Sequence, residues 1–150
     1  MSAYWTAHPD FNHNPALPLR QQFGALAALR GWRKRSKVYN REWEKCGREE
    51  FTFQFGSDEN RLAGWQAMCA LVGVNENDVP ASITRCKQLL RRHWVNIYDL
   101  LDAQRSGTIA KTHPSCGALQ HYTISKHKIF PLKSAKGNRF LKVLLIDMFV

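Results

Sequence analysis

The run Arg30-Gly31-Trp32-Arg33-Lys34-Arg35-Ser36-Lys37 places five cations in eight residues, with an indole among them. Lysine and arginine at this density hold phosphate groups, and a ring between them can stack on a base. The run therefore suits a nucleic-acid contact or a nuclear-localisation signal. A second basic set, Arg85, Lys87, Arg91 and Arg92, sits inside a stretch of helical periodicity. There Thr84, Arg85, Gln88, Arg91 and Arg92 fall opposite the apolar Ile83, Cys86 and Leu90. The candidate nucleic-acid-binding residues are thus Arg33, Lys34, Arg35, Lys37, Thr84, Arg85, Gln88, Arg91 and Arg92. A third region alternates Lys126, Lys128, Lys133, Lys136 and Arg139 with Tyr122, Phe130 and Phe140, a pattern suited to single strands.

Other chemistry is thin. His113, Cys116, His121 and His127 are zinc-compatible donors, but their spacing matches no standard ligand arrangement, so no metal and no other cofactor is expected. There is no glycine-rich phosphate loop and no nucleophile elbow, and the acids concentrate on one helix face. The expectation is a protein without catalytic activity. Cys46, Cys69, Cys86 and Cys116 form no CxxC pair, and three of them lie in apolar helical patterns, as thiols do in a reducing compartment.

The formal charge of +10 over 150 residues is unevenly spread. Residues 1–40 carry +5, residues 41–60 carry −3, residues 61–105 carry +2 and residues 106–150 carry +6. Such a field concentrates polyanions, which makes nucleic acid the first expected partner, DNA ahead of RNA. A protein partner, or a homodimer docking through the apolar C-terminus, is the alternative. The first nineteen residues lack the basic and apolar regions of a signal peptide, and no apolar run reaches the ~18 residues of a membrane span. A nuclear or cytoplasmic location follows as an expectation.

These groups need elements to hold them. Residues 1–16, with Pro9 and Pro15, read as an extended N-terminal arm, and residues 17–150 as one helical domain. Leu19, Phe23, Leu26, Leu29 and Trp32 predict a helix over 18–32. Ser36 can cap a helix over 36–55, although Phe51, Phe53 and Phe55 also alternate as in a strand. On its outer side Glu44–Arg48 and Glu42–Lys45 read as helix-surface charge pairs. A helix over 59–72 follows. A long one over 82–101 is predicted from Ile83, Cys86, Leu90, Trp94, Ile97 and Leu101, with its cations first and Asp99 and Asp102 last, against the macrodipole. Segment 108–116 reads as loop, an extended element near 122–132 is open, and 140–150 reads as a buried terminal helix or strand. The fold class is mainly α: a single-domain helical bundle with a helix-turn-helix-like core over 43–101.

Within that core, Trp43, Glu49-Glu50-Phe51, Trp65 through Leu71, Arg85-Cys86 and Trp94 resemble the spaced tryptophans of Myb/SANT modules. The resemblance implies DNA binding by the third helix. Over most of the chain, Phe11-Asn12-His13-Asn14-Pro15, Gly31-Trp32, Ser82 to Lys87, Val95 to Leu100 and Ile129 to Lys133 resemble a group of small uncharacterised proteins of filamentous fungi. That resemblance implies one intracellular domain and brings no activity or site.

Overall fold

The hydroxyl of Ser36 accepts the Tyr39 N–H at 3.2 Å and starts the longest helix, α3 (Lys37–Phe55). Gly56 ends it with a φ of 82°, a backbone state that glycine adopts without strain. The alternating phenylalanines do not form a strand. Phe51 and Phe55, four residues apart, are buried, while Phe53 between them faces solvent. The computed structural model describes residues 1–148. Phe149 and Val150, the tip of the apolar segment 140–150, lie outside the described residues.

Three helices pack on α3: α1 (Ala3–Thr6), α2 (Leu19–Arg30) and α6 (Ile97–Ser106); α4 (Leu62–Leu71) packs on α6 and on α5 (Ile83–Leu90), and α7 (Cys116–Ser125) and α8 (Arg139–Val143) complete the C-terminal third. A π-helical turn, Leu144–Met148, extends α8. The one sheet among the described residues is a two-stranded antiparallel pair, β1 (Trp94–Val95) with β2 (Thr112–His113), in register Trp94 to His113. The molecule is a mainly helical single-domain bundle. Its strand pairing falls at 94–95 and 112–113, and residues 128–131, in the region left open for an extended element, run without a strand partner.

The expected helix over 82–101 is divided. Asn96 accepts the backbone N–H of Tyr98 at 2.9 Å and of Asp99 at 3.4 Å, so it caps a new helix, and Val95 before it is taken into β1. The apolar stripe survives the break because Cys86, Leu90, Ile97 and Leu101 are all buried. The charges also make sense once the helix is cut. Asp99 now stands in the first turn of α6 and Arg105 in its last, where the macrodipole favours each.

The N-terminal segment is not merely extended. Residues 3–6 form α1, which packs on α3 with Tyr4 and Trp5 buried. The Tyr4 hydroxyl donates to Glu42 at 3.1 Å, and Trp5 lies flat on His13 with ring centroids 4.1 Å apart. Glu42 and Glu44 therefore serve tertiary contacts in place of the expected helix-surface pairs. Glu44 faces Lys133 at 3.7 Å, and Arg48 donates to the Ser134 carbonyl at 3.3 Å. Further along, Arg30 grips Asp10 through two bonds of 2.6 and 2.7 Å. Asp102, on α6, accepts the Leu19 N–H at 2.9 Å and so caps α2, whose own N-cap, Pro18, provides no side-chain acceptor.

His13 completes this latch, its Nε2 3.0 Å from Arg105. Burial, reinforced by the Arg105 charge, lowers its pKa from 6.5 to about 4. Between those values the unfolded chain binds a proton that the folded one refuses, so stability falls as pH drops from about 6.5 towards 4. The expected loss is on the order of 2–3 kcal/mol by pH 4, and His8 and His113, also lowered by burial, act in the same direction. Urea midpoints at pH 7 and pH 4.5 check this. His13→Gln should flatten most of the difference, and an unchanged slope would contradict the assignment.

At the other end of α3, Phe140 stacks on Trp65 at 4.7 Å and meets Phe51 edge-on at 5.7 Å. Phe140, Leu141 and Leu144 are fully buried in the protein's own core, while Ile146 beyond them stays half exposed. Gly64 makes room for Phe140: a Cβ there would sit 2.5 Å from its ring and 3.1 Å from the Phe55 carbonyl. Gly64→Ala should destabilise by about 1–3 kcal/mol through overpacking, against a helix-propensity gain of about 1 kcal/mol. A thermal melt decides it, and a raised Tm would mean that Phe140 can move aside.

Candidate nucleic-acid interface

The first cationic group is built at the corner between α2 and α3. Gly31, with a φ of 74°, ends α2, and the Trp32 N–H bonds back to the Ala27 carbonyl. Residues 33–36 then turn, with Arg35 itself left-handed at φ 69°, before Ser36 caps α3. This geometry leaves Arg33, Lys34, Arg35 and Lys37 exposed. Trp32 is different. It is half-buried, edge-on to His8 and tilted against Phe23, each at 6.1 Å, so it anchors the corner to the core and is not a free stacking platform.

The second group lies on the α4–α5 pair. Ser82 accepts the Arg85 N–H at 3.3 Å and caps α5, which spans about 12 Å for its eight residues. Cys86 and Leu90 are buried against α4, which turns Thr84, Arg85 and Gln88 outward, and Arg91 and Arg92 follow in an exposed turn. Lys87 instead lies over the Trp65 ring at 5.2 Å. Residues 72–82 connect α4 to α5, a longer link than the three or four residues of a helix-turn-helix. The nine candidate residues are all exposed, but among the described residues no hydrogen bond, ring contact or ion pair joins the two groups.

These cations are clustered and have no carboxylate partner among the described residues. The ion pairs among the described residues use Arg30, Arg105, Lys128, Lys133 and Arg139. Arg33, Lys34, Arg35, Lys37, Arg85, Arg91 and Arg92 take part in none of them. The third basic region behaves otherwise. Lys128 is bound to Asp99 at 2.6 Å and to the Tyr122 hydroxyl at 3.0 Å, and Phe130 and Phe140 are buried, which removes them as base-stacking surfaces.

Among the described residues no three His, Cys, Asp or Glu side chains gather into a metal-binding group. His113 is buried against Tyr122, while His121 and His127 are exposed. Burial raises the thiols of Cys46, Cys69 and Cys86, Cys69 to about 12, so at neutral pH they carry no nucleophilic thiolate. Among the described residues no helix is long and apolar enough to cross a membrane. No family model, curated protein or solved structure matches this chain.

Sequence reasoning missed Arg20. Its guanidinium lies 5.5 Å from the Trp43 ring and donates to the His127 carbonyl at 2.6 Å, tying α2 to the segment after α7. No local pattern announces a contact between residues so distant in sequence.

Proposed function

We propose that this protein binds nucleic acid, duplex DNA ahead of RNA, through phosphate contacts from two basic surfaces, and performs no reaction on it. Arg33, Lys34, Arg35 and Lys37 form one surface. Arg85, Arg91 and Arg92 form the other, with Thr84 and Gln88 beside them able to donate or accept hydrogen bonds. The observation that carries this reading is that seven exposed cations, clustered in two short stretches of the chain, have no carboxylate partner among the described residues. Unpaired surface arginine and lysine keep their full attraction for a polyanion, and the charge of +10 adds a long-range field. The likeness of residues 43–101 to Myb/SANT modules fits a role for the outer face of α5. A nuclear or cytoplasmic location accords with that partner.

Fluorescence anisotropy with a labelled 20-base-pair duplex, and with single-stranded DNA and RNA of equal length, tests the proposal. Affinity should fall steeply with salt, with a log–log slope of about −0.9 per phosphate neutralised. Absence of binding at 50 mM salt would dispose of it, and tighter binding to RNA would reverse the stated preference.

A further inference from the structure

An apolar groove of about 500 Å³ opens on the C-terminal third of the molecule, formed by residues that the nucleic-acid reading does not use. Val95, Ile97, Leu119 and Phe130 make its buried floor. Its walls carry Ile124, Ile129, Leu132 and Ile146, which remain 64%, 58%, 50% and 50% exposed. These are four of the eight large apolar side chains left exposed among the described residues, and they converge on one concavity. Apolar residues scattered singly over a surface need no explanation, but a contiguous concave set marks a binding site.

Local chemistry builds the groove. The chain leaves α7 through His127 in a left-handed conformation, φ 54°, and returns under the Asn96 amide, which donates to Thr123 at 3.2 Å and to the Lys128 carbonyl at 3.0 Å. That clamp sets Ile129 beside Ile124. Ile146 approaches from the end of the chain and is shared with an adjoining cleft of about 460 Å³ that holds Lys136, Arg139 and Lys142. Glu59 also lines this cleft and pairs with Arg139, and among the described lining residues Lys136 and Lys142 face no further acid. Among the described residues the groove lining contains no carboxylate.

We infer that this groove receives a short amphipathic helix of a partner protein, its apolar side chains between the isoleucines and its acidic residues against Lys136 and Lys142. Complementarity of charge selects this occupant. A second copy of this chain would bring like charge to a region of +6. A concave slot suits the anchors of a helix laid in a groove, whereas a bilayer is entered by protruding apolar side chains.

The probe is a labelled 16-residue peptide with leucine at helical i, i+3, i+4, i+7 spacing and glutamate on its other face, beside the same peptide with lysine for glutamate. Anisotropy with the full chain should give at least about tenfold tighter binding of the acidic peptide. Ile124→Ser and Ile146→Ser, exposed positions that leave Tm in place, should each weaken it several-fold. Arg41→Gln, which removes one exposed charge that lines neither cleft, should leave it within twofold, as should saturating duplex DNA. Equal binding of both peptides, no binding of either, or insensitivity to Ile124→Ser would overturn the inference. So would an Ile124-dependent dimer in light scattering, or Ile124-dependent binding to phosphatidylserine vesicles without peptide binding. Failure of DNA binding alone leaves it standing, because the two surfaces share no residue.

Discussion

Replacing Arg105 with methionine is expected to cost the fold about 3–5 kcal/mol, the largest single effect foreseen outside the aromatic core. Arg105 and Glu50 are only 2% and 4% exposed and meet at 3.0 Å. Removing the cation leaves a buried carboxylate with one remaining donor, the Gln54 amide at 3.0 Å. Arg105 also donates to the Leu17 carbonyl at 2.8 Å and the Asn14 carbonyl at 3.1 Å, and it holds His13. The same substitution therefore releases the N-terminal segment. Urea titration should give the loss in stability, and limited proteolysis should begin near residues 14–17 before the rest of the chain is cut. Pairing Arg105→Met with Glu50→Leu should recover part of the loss, since no lone charge then stays buried. A single-variant cost below about 1 kcal/mol would show the pair to be far better hydrated than its burial implies.

The second large effect concerns binding. Changing Arg33, Lys34 and Arg35 together to glutamine should reduce the salt slope for duplex DNA by about 2.7, three phosphates at about 0.9 each, and weaken affinity at 50 mM salt on the order of 10–100-fold. Stability should hold, because all three side chains are exposed and take part in no ion pair. The control removes the same charge elsewhere, through Arg61, Lys126 and Lys136 to glutamine. If both triple variants lose affinity equally, the corner is not a contact surface and only net charge matters. If only the first loses it, the cations at the α2–α3 turn touch the backbone of the nucleic acid.

Much of the fold was legible because local chemistry and tertiary burial agree. Apolar spacing and the end residues Ser36, Gly56 and Ser82 placed α2, α3 and α4 and the start of α5 within a few residues. The apolar stripe by itself predicts one long helix over 82–101, because it continues across the break. The cap at Asn96, with Asp99 three residues on, is the competing local signal, and pairing of β1 with β2 at Thr112–His113 decides between them. The N-terminal segment reads as an arm because no local pattern predicts that His13 will cover Trp5, or that Arg105 will hold His13 there.

The candidate site divides in the same way. Residue type and turn chemistry are enough to put Arg33, Lys34, Arg35 and Lys37 on the surface, since a basic run between two helices has no cheaper place than water. The outward face of α5 follows equally from its 3.6-residue period. By itself, then, the sequence determined the helical class, the caps, the excess of positive charge and which cations face solvent. The tertiary structure alone decided which cations are neutralised, that Phe140 packs on Trp65 and Phe51, and that Ile124, Ile129 and Ile146 line one groove. Those outcomes depend on contacts between segments 20 to 90 residues apart, where chain connectivity supplies no periodicity and only packing and charge pairing select the partner.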